Sequence, residues 1–210
     1  MQRTRRSVNE RREELVDATL AILATEGLSA ATTRRITDEA DMALGAFHYA
    51  FRSKDELLRA VIERMANQID DAIRAAVAAD GENLASALEA IVQAYWDYVE
   101  GTPHVQLAQF ELTIHALRDP DLEPLAAWHY QRLAGTVSSV IATVPGAPDE
   151  LEREQLARYL IATMDGLILH HCVQADLTSA RDRLQRYLAA LHAAPWAQHV
   201  NGQARPGTPA

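Results

Sequence analysis

Along almost the whole chain, apolar residues recur at three- and four-residue intervals, and each run is closed by Gly, Pro or Asp. That rhythm leaves little room for anything except helices packed on helices. Over 9–26, Leu15, Val16, Leu20, Ile22 and Leu23 keep helical spacing, and Gly27 is placed to end the run. Thr32 or Thr33 caps a short helix reaching Ala40; a tight connection over 41–43 leads to another over 44–51. Ser53 and Glu56 read as a capping box, with Ser53 accepting from a backbone N–H and Glu56 returning a bond to the cap residue. A long helix over 54–79 follows, its apolar face built from Leu57, Leu58, Val61, Ile62, Met65, Ile69 and Ile73. Further helices are predicted over 84–99, 104–117, 122–144, 150–175 and 179–193, separated by Gly101-Thr102-Pro103, Asp119-Pro120, Pro145-Gly146-Ala147-Pro148 and Asp176-Leu177-Thr178. No alternating β-branched segment competes, so the fold class is all-α.

Hydrophobic residues make up 48% and charged residues 23%, and no apolar run is long enough to span a bilayer, so a soluble, cytoplasmic chain is expected. The start, MQRTRRSVNERREELVD, is positive but lacks the apolar segment and cleavage site of a secretory signal. Cys172 is alone, which excludes an intrachain disulfide and a cysteine-based zinc site. Charge is unevenly spread. Residues 1–12 hold five Arg against one Glu, residues 1–60 balance ten basic with ten acidic side chains, and the whole net charge of −9 sits beyond them. The Arg-rich start reads either as a solubilising tail or as a local phosphate footprint on an otherwise acidic protein.

Two short helices separated by about three residues match helix-turn-helix geometry. Gly27, Thr32, Ile36, Ala40, Met42, Gly45, Phe47, Phe51, Ser53, Lys54 and Leu57 together closely resemble the amino-terminal domain of the TetR family of transcriptional repressors, over about residues 9–62. Thr37, Asp41 and His48 depart from the usual Ala, Gly and Tyr of that pattern. The resemblance implies a three-helix DNA-binding domain over 7–60, joined by the long helix to a helical effector-binding and dimerisation domain over 61–194. The remaining 195–210, rich in Pro and Gly, is expected to be mobile, with Trp196 available to dock. No cofactor is implied.

On that reading Ala43, Leu44, Gly45, His48 and Tyr49 face the groove, while Phe47 and Phe51 pack the recognition helix inward. Thr33, Arg34, Tyr49, Lys54 and the backbone N–H groups at the helix starts position phosphates, and Arg3, Arg5 and Arg6 can reach a minor groove or screen phosphates. A homodimer on a palindromic operator is the partner arrangement that the family implies. Candidate dimer faces are Leu156, Leu160, Met164, Leu167 and His171 on one helix and Leu184, Tyr187 and Leu188 on the next, with packing inside the monomer as the alternative. For a small apolar or amphipathic effector, Tyr95, Trp96, Gln106, Phe110, His115, Trp128 and His170 offer large rings and polar groups.

An enzyme is not expected. His170-His171-Cys172 are successive on a helix and point about 100 degrees apart, so they cannot converge on one ion unaided, and no phosphate-cradling loop, metalloprotease motif or nucleophile elbow occurs. Two other readings stay open: a constitutive regulator without an effector, and an all-helical module that binds protein.

Overall fold

A computed structural model describes residues 7–174 and 177–193; Arg3, Arg5, Arg6 and the 195–210 tail with Trp196 lie outside the described residues. The protein is all-α. Its helices are α1 (Val8–Glu26), α2 (Thr33–Glu39), α3 (Leu44–Ala50), α4 (Lys54–Asp80), α5 (Leu84–Gly101), α6 (Pro103–Ala116), α7 (Glu123–Ile141), α8 (Glu150–Gln174) and α9 (Leu177–Ala193), with a 3-10 turn over Leu28–Ala30. The expected breaks at Asp119-Pro120 and Pro145-Gly146-Ala147-Pro148 fall between helices, whereas Gly101 ends α5, Pro103 opens α6, and Leu177 and Thr178 already belong to α9. Residues 7–12, half of the Arg-rich start, are not tail: Ser7 and Glu10 form a reciprocal capping box, Glu10 N–H donating to Ser7 Oγ at 3.1 Å and Ser7 N–H to Glu10 Oε2 at 2.6 Å. At its far end α7 stops three residues short of the expected 144, because Thr143 and Val144 N–H reach back only three residues, to Val140 and Ile141 carbonyls.

The chain forms two compact units, one comprising 1–68 with 102–130 and the other 69–101 with 131–210. In the first, α1, α2 and α3 pack on one another and α1 also packs along α6. Leu15, Ile22, Ile36, Phe47, Phe51 and Leu57 are at most 1% exposed, and Leu112 and Leu125 join the same core. The 7–60 segment therefore shares its apolar centre with α6 and the start of α7. Burying side chains of this size stabilises by about 1.5–3 kcal/mol each, so the short α2 and α3 are held by tertiary packing rather than by their own propensity.

In the second unit α8 packs against α9 and both meet α5. Trp96, the largest fully buried side chain, donates its indole N–H to Glu100 Oε1 at 2.8 Å and lies tilted against His171, ring centroids 5.4 Å apart. Arg181 closes the cluster with two hydrogen bonds to the Glu100 carboxylate, at 2.8 and 3.1 Å. Those bonds, with the indole N–H, hold Glu100 below the ordinary carboxylate range. No helix among the described residues is long and apolar enough to cross a membrane.

Candidate nucleic-acid interface

The surface begins with the way α2 is seated. Thr32 caps it, Oγ1 accepting from Arg35 N–H at 3.2 Å. Arg35 is then committed to structure: its guanidinium bridges Glu26 at the end of α1 and Glu39 on α2, at 2.6 and 2.7 Å. Arg34, one residue earlier, is exposed, and Thr33 is half-buried. Thr37 fits the buried position usual for Ala by donating its hydroxyl to the Arg34 carbonyl at 2.9 Å.

The turn to α3 uses the left-handed conformation at Asp41, φ +50°. Asp41 N–H returns to the Asp38 carbonyl and Met42 N–H to the Thr37 carbonyl, at 3.3 and 2.9 Å, which is the paired bonding of a Schellman motif. Asp in place of Gly thus keeps the turn and does not reshape it. Ala43 then caps α3 without a side-chain hydrogen bond.

Seven residues of α3 divide cleanly. Phe47 and Ala50 are buried, and Phe51 beyond the helix end is also buried. Leu44 at 50% and Tyr49 at 62% are exposed, as are Ala43, Gly45 and His48. A Cβ placed on Gly45 would meet no atom within 4 Å, so the fold itself does not ask for glycine there.

Two arginines of the first predicted helix, given no individual role from the sequence, belong to this surface. Arg11 lies over the Tyr49 ring at 5.4 Å. Arg12 turns inward, over the Phe51 ring at 4.1 Å, and donates to the Ala50 carbonyl at 2.5 Å and to Glu56 Oε1 at 2.8 Å. Their signal was available: both fall within the helix predicted over 9–26. The expected capping box at α4 is corrected in one half. Glu56 N–H does donate to Ser53 Oγ at 3.1 Å, but the Glu56 carboxylate accepts from Arg52 N–H at 2.8 Å instead of from Ser53. Arg12 holds the other oxygen and draws the carboxylate away. Lys54 opens the same helix, half-buried.

The other candidate residues are scattered. Tyr95 and Trp96 are buried on α5 and His170 is exposed on α8, all in the second unit; Gln106 is buried and Phe110, His115 and Trp128 are half-buried in the first. Leu156, Leu160, Met164, His171, Leu184, Tyr187 and Leu188 are buried by the chain's own packing, and Leu167 is half-buried. The exposed apolar stripe of α8 runs instead through Leu151, Tyr159, Ala162, Gly166, Leu169 and Val173, at helical spacing. His170 and His171 diverge as expected, burial pushes the Cys172 thiol up, and the described residues hold no group of three metal-binding side chains.

Residues 15–61 match the family model described as bacterial regulatory proteins, tetR family, and residues 79–194 match tetracyclin repressor-like, C-terminal domain. The nicotine-responsive transcriptional repressor HdnoR of Paenarthrobacter nicotinovorans is 30% identical over 167 residues, which cover 79% of this chain and 85% of that one. A transcriptional regulator from Rhodococcus sp. Rha1 shares the fold, with a TM-score of 0.72 at 21% identity, over 86% of this chain and 95% of that one. The multidrug binding protein EbrR, solved with imidazole, is 28% identical with a TM-score of 0.61, over 84% and 89% of the two chains.

Proposed function

Since this chain belongs to the TetR family and is therefore a DNA-binding transcriptional regulator and not an enzyme, we propose that it acts as a homodimeric repressor on a palindromic operator, released by a small apolar or amphipathic effector. The observation that carries the reading is the exposed face of α3. Leu44, Gly45, His48 and Tyr49 stand outward while Phe47 and Phe51 anchor the helix from behind. A glycine in a helix costs up to about 1 kcal/mol against alanine, less in the first turn where Gly45 stands, and the open space around Gly45 gives that cost no internal reason. Close approach of a DNA backbone or base edge supplies one. Arg34, Lys54 and Thr33 then position phosphates on either side.

One seven-residue helix covers few base pairs, so two heads on a two-fold axis are needed for useful specificity. The α8 stripe from Leu151 to Val173 supports a contact with a second copy, because Ala162 and Gly166 at its middle would let two helices approach closely. For the effector, support comes from the relatives: HdnoR is described as nicotine-responsive and EbrR as multidrug binding.

Selection from a random duplex library tests the reading. The expected product is an inverted repeat whose affinity falls with salt and collapses when His48→Ala, Tyr49→Ala and Lys54→Ala are combined. No enriched sequence would favour a protein-interaction module. Enrichment without any response to a metabolite panel would leave a constitutive regulator.

A further inference from the structure

We propose that Arg12 is a positioning residue for DNA reading, holding the end of α3 from α1 so that operator selectivity depends on a side chain that touches no DNA; this rests on α3 being the groove-facing helix. α3 has little of its own to hold it. It is seven residues long, starts at Ala43 without a side-chain cap and carries Gly45 in its first turn.

At its other end the Ala50 carbonyl is one of the acceptors that a helix cannot satisfy internally. Arg12 Nη1 donates to that oxygen at 2.5 Å and brings a cation to the negative end of the helix. The same nitrogen donates to Glu56 Oε1 in the first turn of α4 at 2.8 Å, and the guanidinium lies over the Phe51 ring at 4.1 Å. One side chain thus ties α1 to the exit of α3 and the start of α4.

The Arg12 and Glu56 side chains are 33% and 34% exposed, so water competes for the pair and it adds little to stability. What it adds is direction. The buried Phe47, Ala50 and Phe51 hold α3 through apolar contact, which is non-directional and tolerates sliding, whereas a hydrogen bond fixes distance and angle. A slip of α3 by about 1 Å takes His48 and Tyr49 out of hydrogen-bond range of a base edge, while the longer-ranged attraction to phosphates survives. Loss of Arg12 therefore weakens the cognate complex and spares the nonspecific one.

The test uses the full chain, its selected operator and a scrambled duplex of the same length, with binding followed by fluorescence anisotropy across a salt series. Arg12→Met keeps an apolar stem over Phe51 and removes the donors; cognate affinity is expected to fall about tenfold or more, with the scrambled duplex and the slope of log affinity against log salt unchanged. Arg12→Gln, too short for both oxygens, repeats the measurement if the first variant does not fold, and Arg12→Lys should restore most of the selectivity. Arg64→Met removes bridges from α4 to Glu13 and Asp17 of α1 without touching α3, and should leave the ratio of cognate to scrambled affinity at the wild-type value. An unchanged ratio in Arg12→Met or Arg12→Gln, or an equal fall in Arg64→Met, overturns the positioning role. So does a fall on both duplexes with the slope lowered by about one, which marks a phosphate contact. If selectivity survives loss of Arg12 but not His48→Ala combined with Tyr49→Ala, α3 remains the reader and only the role of Arg12 falls. If it survives that pair as well, the reading of α3 falls and takes the positioning role with it.

Discussion

The Glu111 carboxylate accepts a hydrogen bond from Leu28 N–H at 2.8 Å, joining residues 83 apart in sequence. It ties α6 to the 3-10 turn that follows α1. Gly27 makes the approach possible: its φ is +79°, and a Cβ there would lie 3.3 Å from Glu111 Oε2. One glycine thus ends α1 and clears a path for a side chain from a distant helix. The link lies within the amino-terminal unit, whose α6 also carries the buried Gln109. Any displacement of α6 has to stretch or break this bond.

Removing the acceptor should therefore loosen the turn. Glu111→Ala is expected to cost about 1.5–3 kcal/mol, as for loss of a hydrogen bond to a charged group, and to speed hydrogen exchange at Leu28. Glu111→Gln keeps an acceptor oxygen and should lose less than half as much. Equal losses in urea denaturation for the two variants would show that the negative charge, and not an acceptor oxygen or packing, makes the contribution.

The turn between α2 and α3 makes a second prediction. Asp41 holds a positive φ that side chains other than glycine adopt at a cost. Asp41→Gly should stabilise the protein by up to about 1 kcal/mol and leave α3 in place, whereas Asp41→Val should destabilise it by at least that much. Calorimetric melting distinguishes them, and a destabilised glycine variant would mean that the Asp side chain supports the turn.

Helix number, order and most boundaries were legible in the sequence because burial and punctuation are local signals: Gly27, Asp119-Pro120 and the cap at Thr32 each act within a turn or two. The packing of Phe47 and Phe51 was legible for the same reason. Pair relations between distant segments were not. Nothing near Glu56 says that Arg12 competes for its carboxylate, nothing near Gly27 announces Glu111, and Gln109 reads as an ordinary helical glutamine until His129 stands beside it. The apolar positions of α8 and α9 were also visible without their assignment, since core and contact faces have the same chemistry; the bonding of the helices within one chain shows that Leu160 and Met164 face inward and Tyr159 and Leu169 outward.

Arg11 should behave as part of the proposed DNA surface. Its guanidinium stacks on Tyr49, so it restrains that ring while keeping charge near the phosphates. Arg11→Ala is expected to reduce operator affinity and to lower the slope of log affinity against log salt by about one. If Arg11 only packs, the variant will bind more weakly with an unchanged slope, or bind normally.

Glu56 gives stability a pH dependence of definite sign. The Arg52 N–H first, and then the Arg12 guanidinium, hold its carboxyl below the ordinary range. A carboxylate depressed in the folded state adds stability that is fully present above its unfolded value, about 4.3, and is lost as pH falls through the lower folded value. Urea midpoints measured from pH 7 down to pH 3 should therefore fall less steeply for Glu56→Gln than for the wild type. Glu100 titrates with the same sign, so the comparison rests on the difference between the two proteins, and parallel curves would remove Glu56 from the acid response.

Gly45 separates the demands of folding from those of binding. Inside a helix, with no neighbour within 4 Å of an added Cβ, Gly45→Ala should raise stability by about 0.5–1 kcal/mol through the higher helix propensity of alanine. On the proposed reading the same methyl stands between α3 and the DNA, and operator affinity should drop at least tenfold. The two measurements move in opposite directions only if something outside the chain needs the space. A variant that is both more stable and equally tight would show that the groove-facing surface lies elsewhere on α3, whereas loss of both properties would mean that Gly45 serves the fold in a way its open surroundings do not reveal.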